Sequence, residues 1–257
     1  MSSSPVEQKV TWDYTEHATH YDKRADYSSN AIADLLNAID CDRSKPVAEI
    51  GAGTGKLTKE LLKHGLAVRS VEPNEAMRTI GMRNTEGQAA IWSTGTGEAT
   101  GLPSGSFYAV FFGSSFNVVD QKAALAEASR ILVPHGWFAC MWNHRDLDDP
   151  VQVQIESIIK AAIPEYSYGS RREDPTQVIN SSSHFSNTKS IEGRFVWKME
   201  KEDIITAWKS HATLKRQAGS DAVFDTIIRR IASYLDGLPE IIEVPYTTRV
   251  YFAKKTN

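Results

Sequence analysis

Cysteine is scarce. The chain of 257 residues has only Cys41 and Cys140, so it carries no disulfide framework, and neither thiol stands in a metal-ligand spacing. That usage fits a reducing, cytoplasmic compartment. No apolar run approaches the roughly 18 residues of a spanning helix. Met1-Ser2-Ser3-Ser4-Pro5 lacks the apolar core of a secretory signal. Excess charge is also missing: 29 Lys+Arg against 32 Asp+Glu leave a net charge of -3. Such a balance gives no reason to expect nucleic acid or an anionic membrane as a partner. There is no internal repeat, and low complexity is confined to the first residues. The length suits one large α/β domain, and hydrophobic residues at 41% are enough for an ordinary soluble core.

What the chain does have is a glycine cluster at one place. Val47-Ala48-Glu49-Ile50 reads as a buried parallel strand, and Gly51-Ala52-Gly53-Thr54-Gly55 follows it. Leu57, Leu61 and Leu62 then share a helical face up to Gly65. Glycines let the backbone turn sharply and let a ligand approach where a Cβ would stand. The helix start adds free N–H groups and a partial positive charge. The next apolar run, residues 67–71, ends in Glu72-Pro73-Asn74, and an acid at that strand tip can accept hydrogen bonds from both ribose hydroxyls. The glycine spacing is not the G-x-G-x-x-G of a dinucleotide site. Two acids flanking a G-x-G-x-G turn suit a cationic cofactor that has no phosphates.

Glu49-x-Gly51-x-Gly53-x-Gly55 resembles the first motif of class I S-adenosylmethionine-dependent methyltransferases. The resemblance covers about residues 47–146, and the last strand more loosely. It implies an α/β, Rossmann-like, doubly wound sheet, mostly parallel with the last strand antiparallel between strands five and six, helices on both faces and a helical cap insertion. It divides a single domain, 1–257, into an N-terminal lid (1–28), a cofactor-binding core (29–142), a substrate cap (143–193) and closing strands and helices (194–257). It implies S-adenosylmethionine as cofactor, S-adenosylhomocysteine as product, and methyl transfer to an oxygen or nitrogen atom of a small molecule by a monomer or homodimer. A non-catalytic cofactor-binding scaffold and a nicotinamide-dependent oxidoreductase are the alternatives.

By the resemblance, Glu49 lies near the methionine ammonium, Gly51, Ala52, Gly53 and Gly55 run beneath the cofactor, and Glu72 and Pro73 meet the ribose. Asn74 caps a helix whose Met77 is either core or placed against adenine. Thr96, Gly97 and Glu98 fall in the segment that lines the adenine, with Thr96 and Gly97 where relatives commonly have Asp and Ala. Ser114, Phe116 and Asn117 follow the fourth strand, at the carboxyl end where open α/β sheets bind ligands; Phe116 and Asn117 either contact ligand or simply pack. In the dense stretch Trp12 to Arg24, Tyr14, Tyr21 and Arg24 belong either to a packing helix or to a lid. Trp142-Asn143-His144-Arg145-Asp146 resembles the "W-N-x-R-D" segment of a subgroup acting on small molecules. Beyond it, Tyr166, Tyr168, Arg171 and Arg172 form either a solvated loop or an aromatic, cationic pocket for an anionic or planar substrate. A base is optional in such chemistry. His144, on the rim after strand five, is the first candidate, and no metal is called for.

Overall fold

The computed structural model describes residues 24–256, without the side chains of Ser170 and Arg171. Lid positions Tyr14 and Tyr21 therefore lie outside the described residues. The chain runs α1 (Ser29–Ala38), β1 (Val47–Ile50), α2 (Lys56–Lys63), β2 (Val68–Val71), α3 (Glu75–Asn84), β3 (Ala90–Ser93) and β4 (Phe107–Gly113). It continues with α4 (Gln121–Ile131), β5 (Leu132–Arg145), α5 (Pro150–Ala162), α6 (Thr176–Asn180), β6 (Phe185–Glu200), α7 (Lys201–Lys209), α8 (Ala212–Ala218), α9 (Asp221–Asp236) and β7 (Ile241–Lys255). One seven-stranded sheet has the order β3-β2-β1-β4-β5-β7-β6. β1 to β5 pair in parallel, and β7 runs antiparallel between β5 and β6.

β1 is buried along its whole length, as a central parallel strand covered on both faces must be. One face packs α1 and α2 through Ile32, Leu35, Leu57 and Leu61 against Val47, Phe111 and Met141. The other packs α4 through Leu125, Ala128 and Ile131 against Ile50, Phe112 and Phe138. Local signals set the helix starts: Ser28, Asn74, Asp120 and Asp149 each accept a main-chain N–H of the helix they precede. Pro73 stands one residue before the Asn74 cap, outside the helix rather than in its first turn.

A third core lies beyond the strand ends. There α5, α7, α8 and α9 pack through Ile155, Ile159, Trp208, Leu214, Phe224 and Ile231 against Val244 and Tyr246 of β7. The cap is thus assembled from two separate stretches, not from 143–193 alone. Residues 185–193 of the expected cap belong instead to β6, which pairs with β7. Along this edge strand half-buried and exposed residues alternate, as expected of an antiparallel strand with one solvated face.

Candidate active site

A cavity of about 600 Å3 opens at the carboxyl ends of β1, β2, β4 and β5, beneath the helical cap. Its floor is the turn after β1. Gly51, Gly53 and Gly55 all have positive φ (69°, 56° and 83°), a region that favours glycine. A Cβ on Gly51 would stand 2.5 Å from Ser115 Cβ, so the turn is pressed against the segment after β4. A Cβ on Gly53 would meet only Met77 Cε, at 3.8 Å, and would occupy the cavity side. Gly55 does not line the cavity. It precedes α2, and a Cβ there would crowd the Trp92 ring at 3.2 Å, so its role is helix–strand packing.

Two carboxylates mark this end. Glu72, 6% exposed, accepts the Gly53 N–H through Oε2 and the Asn74 N–H through Oε1, both at 2.8 Å. Burial raises its pKa, and the two N–H groups partly offset the rise. Glu49 is 1% exposed and accepts the Thr58 hydroxyl, which also bonds Ser70. Burial pushes the Glu49 carboxyl up to about 8, against the lowering effect of the Thr58 bond. Met77, Pro73, Thr96, Gly97 and Glu98 form the side wall. The Thr96 hydroxyl caps its own turn by accepting the Ala99 N–H, and Glu98 accepts the Asp120 N–H at 2.8 Å.

A short strap crosses the mouth. Arg24 reaches Ser210 at the carboxyl end of α7, with Nη2 on the carbonyl at 2.7 Å, where a helix favours cations. Lys56 pairs with Asp26 at 2.8 Å, and the Tyr27 hydroxyl lies 3.0 Å from Ser114 Oγ. Ser114 itself holds φ 57°, a strained non-glycine conformation of the kind that clusters at functional sites. Asn143 lines the cavity, yet its amide donates to the carbonyls of Ala25 and Asp26, and its Oδ1 accepts from Thr248. Its side chain holds the strap in place.

Four expected contacts are corrected. Phe116 is fully buried, edge-on to Phe112 and Phe138, on the face of the sheet packed by α4. Trp142 belongs to that same core, and its Nε1 donates to Asn117 Oδ1 at 2.9 Å. Neither they nor Asn117 line the cavity. Tyr166 is buried in the cap core, edge-on to Tyr168, behind the wall rather than on it.

The far wall is His144, Arg145, Tyr168, Arg172, Ala207, His211 and Tyr246. His144 is 8% exposed, near the end of β5. His211 caps α8, its Nδ1 accepting the Leu214 N–H at 3.2 Å. That bond requires Nδ1 to be unprotonated. Tyr27, Lys56 and Tyr246 carry no expected site role, whereas His211 is, with His144 and with His17 and His20 outside the described residues, a candidate base by residue type. Only Lys56 carried a local signal, its position directly after Gly55; the others reach the cavity through long-range packing.

Residues 48–140 match the family described as a methyltransferase domain. An uncharacterized methyltransferase of Mycobacterium tuberculosis is 35% identical over 123 residues, 48% of each chain. The chain spans about half the length of the curated relatives of this group that it matches. A ubiquinone/menaquinone biosynthesis C-methyltransferase of Methylobacterium nodulans is 32% identical over 162 residues, 56% of this chain and 64% of the relative. Among solved structures, the YcgJ protein of Bacillus subtilis shares the fold at a TM-score of 0.54 and 14% identity, over 90% of this chain and 100% of its own. Haemonchus contortus phosphoethanolamine N-methyltransferase 2, solved with phosphomonomethylethanolamine and S-adenosylhomocysteine, aligns at a TM-score of 0.54 and 14% identity, over 93% of this chain and 57% of its own.

Proposed function

We propose, from the chain's place among class I S-adenosylmethionine-dependent methyltransferases, that it transfers the methyl group of S-adenosylmethionine to an oxygen or nitrogen atom of a small molecule. One observation carries this reading. A single cavity joins the glycine turn and its two acids to the aromatic far wall under the helical cap, so cofactor and acceptor share one enclosed space.

The residues present fit the cofactor. Gly53 leaves a volume that a side chain would fill. Each Glu72 oxygen accepts one main-chain N–H and keeps a second lone pair for a ribose hydroxyl. Glu49 offers a carboxyl toward the methionine ammonium. Met77, Thr96 and Gly97 would flank the adenine.

When bound, S-adenosylmethionine supplies an electrophilic methyl group together with its own leaving group. The chain's task is then orientation and exclusion of water. Arg24, Tyr27 and Asn143 hold the strap across the mouth. Ala207, His211 and Tyr246 close the far side. His144 would take the proton from a hydroxyl acceptor, and an uncharged amine would need no such help. Among the described residues no helix is long and apolar enough to cross a membrane, and the cysteines Cys41 and Cys140 are free; both are compatible with a cytoplasmic enzyme.

The test has two stages. Titration with S-adenosylhomocysteine, with NAD in parallel, should give micromolar binding of the former alone. Methyl-labelled S-adenosylmethionine is then turned over with a panel of small hydroxyl and amine acceptors, and the carbon chemical shift of the product reports whether oxygen, nitrogen or carbon received the methyl group. Binding of NAD in place of S-adenosylhomocysteine, or label found only on carbon, would refute the respective part.

A further inference from the structure

The cavity is electrically divided. Glu49, Glu72 and Glu98 line the glycine-turn side, where Lys56 is paired with Asp26; Arg145 and Arg172 line the far wall, and Arg24 of the strap is bonded to the Ser210 carbonyl. These two arginines are 27 positions apart in sequence and are brought together by the fold: Nη2 of Arg172 donates to the Arg145 main-chain carbonyl at 2.7 Å. Each guanidinium is mounted on aromatic rings. Arg145 sits 4.6 Å over the Trp208 ring and 5.9 Å from that of Tyr246, with its Nε donating to the Tyr246 hydroxyl at 3.1 Å. Arg172 sits 4.9 Å over the Tyr168 ring.

Neither arginine forms an ion pair among the described residues, whereas neighbouring Arg249 pairs with Glu192 at 2.7 Å. The acid closest to this group in the bonding network is Glu156, which accepts the Tyr168 hydroxyl and holds Lys160. Burial lowers the pKa of Arg172, aided by like charge from Arg249 and Arg145 and opposed by Tyr168 and Glu156. The Tyr168 hydroxyl is pushed up to about 12, chiefly by burial, so it stays a neutral donor. Arginines held half-buried, side by side and without counter-charge are unfavourable unless an anion joins them. Among the described residues, Arg145 bonds through Nε and Arg172 through Nη2, which leaves the two terminal Nη groups of Arg145 as an end-on fork that matches a planar carboxylate and Nε of Arg172 as a further donor.

Building on the methyltransferase reading, we propose that the acceptor carries a carboxylate, and that Arg145 and Arg172 bind it with its planar body lying against Tyr168 and Tyr246. The carboxylate is the anchor, and the methylated atom lies elsewhere on the acceptor, toward the glycine turn. The opposite charges at the two ends also set ligand polarity. A cationic cofactor is favoured at the acidic end and an anionic acceptor at the basic end, so neither competes for the other's position.

The test uses the full chain loaded with S-adenosylhomocysteine and titrated with benzoate, benzamide of the same shape but no charge, and phenyl phosphate. Benzoate should bind and benzamide should not. Arg172→Gln should weaken benzoate roughly tenfold to a hundredfold while leaving S-adenosylhomocysteine affinity unchanged. Arg145→Lys keeps the charge but loses the fork, and should weaken benzoate at least about tenfold. Benzamide binding as well as benzoate, phenyl phosphate binding in place of benzoate, no benzoate binding at all, or full benzoate affinity in both variants would each overturn the proposal. If the variants lose S-adenosylhomocysteine affinity instead, the arginines hold the cofactor carboxylate and the proposal is wrong. Failure of the unaltered protein to bind S-adenosylhomocysteine would instead strike the methyltransferase reading itself.

Discussion

Gly51 and Gly53 stand two residues apart in the same turn, with similar positive φ, and their alanine variants should fail in different ways. Both Gly51→Ala and Gly53→Ala force a Cβ into the left-handed region, at about 1–2 kcal/mol each. At Gly53 nothing else is displaced, since the new methyl would lie 3.8 Å from Met77 Cε and point into open cavity. At Gly51 the methyl would stand 2.5 Å from Ser115 Cβ, whose hydroxyl bonds the Ile50 carbonyl at 2.6 Å. Moving Ser115 costs about 1–3 kcal/mol more as overpacking. For a chain of this size about 2–4 °C of melting temperature corresponds to each kcal/mol. Gly53→Ala should therefore melt about 2–8 °C below the parent, and Gly51→Ala about 4–20 °C below it. Thermal unfolding without ligand measures this, and titration with S-adenosylhomocysteine measures the second consequence. Gly53→Ala should lose at least about tenfold in affinity despite its milder stability loss, because its methyl takes ligand volume. Equal melting temperatures for the two variants would refute the clash, and parental affinity in Gly53→Ala would refute the placement of the cofactor on this turn.

The other predictions concern acids, packing and a relocated side chain. Glu49 is raised to about 8 from an ordinary value near 4.5, so the folded state holds a proton that the unfolded chain releases. Its contribution to stability is complete below about pH 4.5 and is lost as the pH climbs toward about 8; Glu49→Gln should flatten that fall in urea unfolding, and an unchanged pH profile would remove Glu49 as its cause. Binding of a ligand ammonium beside Glu49 should expel the same proton, giving calorimetric enthalpies that depend on buffer ionisation below about pH 8; identical enthalpies in phosphate and Tris would count against that contact. Glu72→Ala should weaken S-adenosylmethionine by roughly 1–3 kcal/mol, and an unaltered dissociation constant would move the ribose contact elsewhere. Phe116→Leu should lower stability by about 1–2 kcal/mol through imperfect repacking yet leave cofactor affinity intact; a large loss of affinity would return Phe116 to the site.

The sequence by itself determined the parts of this protein whose causes are local. The run Val47 to Ile50 is apolar except for Glu49, as suits a strand covered on both faces that carries one site acid, and the glycines that follow are required by positive φ wherever they lie in space. Asn74, Asp120 and Asp149 start helices through bonds to main-chain groups two or three residues away. The acids Glu49 and Glu72 could be found because each sits at the tip of a recognisable strand. Only the tertiary structure decided which residues near those tips face the cavity. Asn143, His144 and Arg145 all reach it, whereas Trp142 and Phe116 enter the core, a division that depends on where the helices and the strap pack over the strand ends. The length of β6 depended on pairing with β7 across the 40 residues that separate Glu200 from Ile241. The cap came from two separate stretches, and Arg145, Arg172 and Tyr246 converge from three. Such convergence is set by how the layers pack, a sum over many contacts that no short window of sequence contains.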